Sequence, residues 1–165
     1  MKKLTLIRNA KSDLRDTSLE DFERSLSSKW EKQLKQVWKI LKKLNLKFDY
    51  IICSTSKRAV LTYEWLMKEY DKMKKIPTIF AHEIYDFHEW WTKEIIDIIK
   101  KLEDNIDSFV IIWHNPLFEE LVKKLTTVSG FSIPTLWIVQ IHFKIDSWED
   151  ILEKGEIKLF ISPMK

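Results

Sequence analysis

Glycine is nearly missing from this sequence: Gly130 and Gly155 are the only two in 165 residues. Loops that cradle phosphate, and the dinucleotide fingerprint, need several glycines at fixed offsets, because only a residue without Cβ lets the backbone turn left-handed and approach a phosphate closely. Two isolated glycines can write neither motif. Cysteine is represented by Cys53 alone, which excludes an intrachain disulfide framework and a cysteine-based zinc site. No Pro/Gly/Ser-rich linker, internal repeat or low-complexity stretch interrupts the chain. No apolar run approaches the ~18 residues of a membrane-spanning helix. Met1, Lys2 and Lys3 are followed by Arg8, Lys11 and Asp13, too early for the apolar core of a signal peptide. The expectation is a cytoplasmic protein with no membrane partner. A net charge of +3 is too small to argue for nucleic acid.

Hydrophobic residues at 45% and charged residues at 32% describe a soluble chain with a sizeable core, and 13% aromatics is more than a disordered chain carries. The length fits one domain covering 1–165. The lysine pairs Lys42-Lys43, Lys74-Lys75, Lys100-Lys101 and Lys123-Lys124 are scattered and read as solvated helix faces. Arginine is confined to Arg8, Arg15, Arg24 and Arg58, so an arginine at a strand end is more informative than a lysine.

Leu4 to Ile7 is an apolar run ending at Arg8 and reads as a buried strand. Trp30, Leu34, Val37, Leu41 and Leu44 recur at helical spacing within a helix from about Ser27 to Asn45. Tyr50 to Cys53 reads as a strand followed by a polar turn at Ser54, and Val60 to Tyr70 as a helix. Pro77 to Phe80 is a short strand, and Ile95, Ile98, Ile99 and Leu102 mark a helix from about Glu89 to Glu103. Phe109 to Trp113 is the plainest buried strand. Asn115 and Pro116 suit the N-cap and first position of a helix running to Leu125. Strands close the chain at Ile138 to Phe143 and Ile157 to Ile161, linked by Ser147 to Gly155. Alternating strands and helices predict an α/β domain, a three-layer α/β/α sandwich around a mostly parallel sheet.

In such a sheet, ligands bind beyond the carboxyl ends of the strands. Three of those ends carry Arg8-Asn9-Ala10, Ser54-Thr55-Ser56-Lys57-Arg58-Ala59 and His114-Asn115-Pro116. Guanidinium groups match phosphate oxygens bidentately, and the helix N-termini after Ser54 and His114 add N–H donors. The pattern predicts a phosphate or carboxylate site.

These same residues resemble the histidine phosphatase superfamily, the phosphoglycerate mutase-like proteins, and within it the SixA-type phosphohistidine phosphatases. Leu4-Thr5-Leu6-Ile7-Arg8-Asn9-Ala10-Lys11-Ser12 resembles the SixA-type opening Leu-Tyr-Leu-Leu-Arg-His-Ala-Lys-Ser. Asp21-Phe22-Glu23-Arg24-Ser25-Leu26 resembles Asp-Phe-Asp-Arg-Pro-Leu. Cys53 to Ala59 with Thr62 resembles Ser-Ser-Pro-Ala-x-Arg-Ala-x-x-Thr, and Trp113 to Pro116 with Glu119-Glu120-Leu121 resembles Gly-His-Asn-Pro-x-x-Glu-Glu-Leu. Ile133-Pro134-Thr135 and Lys158-Leu159-Phe160 with Pro163 match the tail. The resemblance runs in order along nearly the whole chain. It implies a phosphoglycerate mutase-like fold, a clamp of Arg8, Arg58 and His114 around a phosphoryl group, and no metal or other cofactor. It also implies a phosphorylated protein as partner, such as a phosphohistidine domain.

The departure is at Asn9, which stands where the family has its nucleophilic histidine. A carboxamide nitrogen has its lone pair delocalised into the carbonyl and cannot form a phosphohistidine intermediate, although it can donate to a phosphate oxygen. Trp113 replaces the glycine before the second histidine, Thr55 the proline after the strand-two serine, and Lys29-Trp30 an Arg-Gly pair. Lost selection for turnover, compositional bias and a deliberate His→Asn exchange are all compatible with these changes. Three functions stay open: a phosphate- or phosphohistidine-binding homologue with weak or no hydrolysis, an active phosphatase using another group, and a non-enzymatic partner-binding module. Cys53 reads as a buried strand residue, because four residues separate it from Arg58 where the cysteine phosphatase loop has five. His82 and His88 read as surface loop histidines that could reach the crevice mouth, and Glu83 reads either as a solvated carboxylate at a helix start or, by the resemblance, as the proton donor that many superfamily members carry near this point. The adjacent Trp90 and Trp91, about 100° apart on a helix, read either as one core and one partly exposed ring or as a lip that touches a protein substrate or partner, with the other tryptophans in the core.

Overall fold

Alternation of side chains along each strand divides the apolar residues between two faces of one sheet. In the computed structural model, which describes residues 1–10, 29–82, 91–115, 117–130 and 132–163, the strands are β1 (Lys2–Arg8), β2 (Tyr50–Ser54), β3 (Thr78–Ala81), β4 (Ser108–Trp113), β5 (Ile138–Phe143) and β6 (Glu156–Ile161). They form a six-stranded sheet in the order β3-β2-β4-β1-β5-β6. β1, β4, β2 and β3 are parallel, and β5 is antiparallel to both β1 and β6. The expected α/β architecture with a mostly parallel sheet is present. The motif from Asp21 to Leu26, Arg15, Glu83, His88, Trp90 and Pro116 lie outside the described residues, as does the side chain of Trp91.

Leu4, Leu6, Ile52, Phe109, Ile111 and Trp113 point into one core, and Ile7, Ile51, Cys53, Val110 and Ile112 into the other. Helices α1 (Trp30–Leu44) and α2 (Lys57–Glu69) cover the second face; α3 (Trp91–Lys100) and α4 (Leu117–Leu125) cover the first. The α1 stripe buries Leu34, Val37 and Leu41, while its end Leu44 is exposed. Asn45 ends the helix in the left-handed region at φ 50°, which its short polar side chain tolerates, and its N–H returns to Lys42 O at 3.1 Å. α2 begins three residues before the apolar periodicity does, because its first turn, Lys57-Arg58-Ala59, is polar in sequence yet buries Arg58.

Gly155 is required by packing: a Cβ there would lie 2.6 Å from Ile141 Cγ2 and 2.7 Å from Phe143 Cε1. Trp113 and Trp148 are fully buried, but Trp30, Trp38, Trp65 and Trp137 are only partly so, at the rims of the two cores. That corrects the expectation of a uniform tryptophan core. A large amphipathic ring covers a core margin without being enclosed by it.

Trp148, on a 3₁₀ turn between β5 and β6, ties the first core together. Its ring meets Phe109 edge-on at 4.7 Å and its indole N–H donates to Ile106 O at 2.7 Å. Lys2 lies 5.8 Å from the ring centroid, its ammonium bonded to Ile106 O at 3.0 Å and Asp107 Oδ1 at 3.1 Å. Replacing Trp148 by alanine removes the ring and leaves the Ile106 carbonyl with Lys2 as its remaining donor. We expect a loss of roughly 3–5 kcal/mol in urea unfolding. A loss below about 1 kcal/mol would show that Trp148 is not the keystone of this core.

Candidate functional site

The sheet register brings the chemistry-bearing residues to one edge. Arg8 pairs with Trp113, Cys53 with Ile112 and Ser54 with Ala81, so the segments that follow β1, β4, β2 and β3 emerge side by side. The Asn9 N–H donates to Trp113 O at 2.6 Å, which places Asn9 next to the start of His114. From the β2 side, Thr62 Oγ1 donates to Arg58 O at 2.7 Å and accepts the Ala10 N–H at 3.2 Å. This hydroxyl fastens the turn after β1 to the first turn of α2. Arg8, Asn9, Arg58 and His114 therefore share one edge, and Asn9, Arg58 and His114 are 4%, 6% and 3% exposed.

Charges of both signs act on Arg8 at this edge. Burial lowers the Arg8 pKa, Glu119 opposes that fall, and the nearby Arg58 adds to it. Arginine nevertheless keeps its charge near neutral pH. Among the described residues, Arg8 thus feels one opposing carboxylate, Glu119, and one like charge, Arg58.

Glu119 also organises the wall of the site. Its Oε1 accepts from Asn115 Nδ2 at 2.7 Å and from the Ile133 N–H at 2.8 Å. Asn115 Nδ2 also reaches Ile133 O at 3.1 Å, and Arg8 Nη1 donates to the same carbonyl. The segment 132–137 is further stitched to β1 by Leu136 N–H to Arg8 O at 3.0 Å and Arg8 N–H to Trp137 O at 3.2 Å. Leu136 adopts φ 60°, a left-handed conformation costing a side-chain-bearing residue about 1–2 kcal/mol. Its full burial against the second core offsets that strain. The N-cap expectation for Asn115 is corrected here: its amide donates to Glu119 and Ile133 O, while Oδ1 has no partner among the described residues.

Neither Glu119 nor Thr62 had been singled out as a functional residue in the sequence. The signals were an Asn115–Glu119 pair one helical turn apart, and a threonine four residues after Arg58. His82 stands just beyond β3 and is exposed, with Nδ1 3.0 Å from Thr55 Oγ1, so it lies at the mouth. Cys53 faces the second core instead of the site, and burial pushes its thiol far up, away from the thiolate a nucleophile needs. His114 packs edge-on against Trp113 at 5.8 Å.

The chain matches no protein-family model and no curated protein sequence. Solved structures do match. The SixA protein of Agrobacterium tumefaciens aligns with a TM-score of 0.79 at 18% identity, covering 98% of each chain. The protein histidine phosphatase SixA complexed with tungstate gives 0.76 at 17% identity over 98% of this chain and 97% of that one. A mycobacterial glucosyl-3-phosphoglycerate phosphatase complexed with VO3 gives 0.75 at 13% identity over 98% of this chain and all of the other, 100%. The chain therefore has the fold of the histidine phosphatases.

If Glu119 orients the 132–137 wall and through it Arg8, its loss should reach Arg8 without touching ligand. We expect Glu119→Ala to weaken phosphate binding about tenfold or more, and Glu119→Gln, whose Oε1 still accepts two N–H groups, to recover much of it in titration calorimetry. Equal binding by wild type and Glu119→Ala would remove Glu119 from the site.

Proposed function

We propose that this chain is a SixA-like phosphohistidine phosphatase homologue. In this reading it holds phosphate or a phosphoryl group between Arg8, Arg58 and His114 and hydrolyses it weakly or not at all. The observation that carries the reading is the sheet register that brings Arg8, Arg58 and His114 to one edge, with Arg58 and His114 buried and Arg58 close enough to Arg8 to lower its pKa. An oxyanion between the two arginines would bring negative charge and bidentate acceptors to both guanidinium groups. Solved structures of this fold in complex with tungstate and VO3 support the same ligand chemistry.

The binding half and the chemical half of the site separate at Asn9. In-line attack on phosphorus needs a lone pair on the attacking atom, and the carboxamide offers none of useful basicity. Cys53 supplies no substitute, being buried in the second core. The arginines and His114 would spread and stabilise charge on a phosphoryl group, which is the electrostatic share of the family's catalysis without its covalent step. The partner in this reading is a phosphorylated protein, such as one carrying phosphohistidine, met by a single cytoplasmic domain spanning 1–165. No helix among the described residues is long and apolar enough to cross a membrane.

Two measurements test the proposal together. Titration calorimetry should show phosphate and tungstate binding to the unaltered chain, weakened at least about tenfold in Arg58→Ala. Turnover of p-nitrophenyl phosphate or a phosphoramidate should be at background in the unaltered chain and appear in Asn9→His. Activity in the unaltered chain that survives Arg8→Ala would overturn the site assignment. Absence of any oxyanion binding would favour a partner-binding module that has lost its ligand.

A further inference from the structure

The amide of Asn9 has a fixed orientation that leaves one hydrogen-bond acceptor unused. Nδ2 donates to Ala10 O at 2.7 Å, and the reverse amide orientation would set two carbonyl oxygens against each other, so the assignment of nitrogen and oxygen is fixed. Oδ1 is left buried with no hydrogen-bond partner among the described residues, on a side chain 4% exposed. Beside it, Arg8 Nε is a buried donor also without a partner, and Ser56 Oγ, at the start of α2, is a third such atom. Buried polar atoms of this kind are rare and costly unless a ligand or water completes them.

Resting on the phosphate-site reading above, we propose that Asn9 Oδ1 makes the site selective for an oxyanion that carries a proton. On this account the preferred ligand is inorganic hydrogen phosphate, ahead of sulfate or a phosphate monoester. Arg8, Arg58 and the second Nδ2 proton of Asn9 are donors, and they serve any tetrahedral oxyanion alike. Discrimination needs an acceptor. Hydrogen phosphate donates its P–OH to Oδ1 and leaves no atom unpaired. Sulfate near neutral pH has no proton to give, and a phosphate monoester, whose second pKa is about 6, has lost its own by pH 8. For those ligands a buried carbonyl oxygen faces an anionic oxygen, and the penalty is that of an unsatisfied polar group together with like-charge repulsion. A histidine at this position would present a nitrogen that titrates. The amide is an acceptor at every pH.

The test is titration of the full chain at pH 8 and constant ionic strength with sodium phosphate, sodium sulfate and methyl phosphate. Inorganic phosphate should bind at least about tenfold more tightly than the other two. In Asn9→Leu, which keeps the size of the side chain and removes the acceptor, the three should fall within about threefold of one another. Equal binding of sulfate and phosphate by the unaltered chain would overturn the proposal while leaving the oxyanion site standing, and it needs no variant to be folded. A preference for phosphate that persists in Asn9→Leu would overturn the role of Asn9. Failure of all three anions to bind would overturn the site reading and this proposal with it.

Discussion

The proximity of Arg8 and Arg58 is the constraint on which the rest of the site turns. Two like charges withdrawn from water repel and lose hydration, and the only described opposing charge that Arg8 feels strongly is Glu119. Everything around them resists separation. The parallel register of β1 and β4 fixes where Arg8 ends, Thr62 ties the turn after β1 to the first turn of α2, and the 132–137 segment is bonded to both sides of Arg8. The two guanidinium groups are thus held near one another by restraints distributed over several elements.

Glu119 serves two ends with one oxygen. It offsets part of the guanidinium repulsion, and it anchors Ile133 and Asn115 so that the Ile133 carbonyl can take a bond from Arg8. The left-handed Leu136 adds backbone strain in the same segment, borne by burial of its side chain. Asn9 sits within this frame with its backbone bound to Trp113 and its amide turned to Ala10. Its Oδ1 is left without a partner among the described residues.

Much of this was legible in the sequence. The strand ends at Arg8, Ser54 and Trp113 were readable because apolar runs stop abruptly at polar residues, and the parallel α/β order then brings those ends together. Arg8, Arg58 and His114 follow from that order. What was not legible depends on contacts between residues far apart in sequence. The Glu119 link to Ile133 and the Thr62 link to Ala10 connect separate elements and leave only faint local spacing. Asn115 looked like a helix cap because its type and position fit one, but a carboxylate one turn ahead drew its amide away. The start of α2 was hidden because Lys57 and Arg58 break the apolar pattern, although Arg58 is buried there. The direction of the Asn9 amide is set by the Ala10 carbonyl, which no composition or periodicity could reveal.

The most direct test of the account is a crystal structure of the unaltered chain grown with tungstate, read by anomalous difference density. The account predicts one strong peak at the carboxyl ends of β1 and β4, within hydrogen-bond reach of Arg8, Arg58 and His114. Tungstate elsewhere on the surface, with the two guanidinium groups bridged instead by carboxylates of the protein, would contradict it.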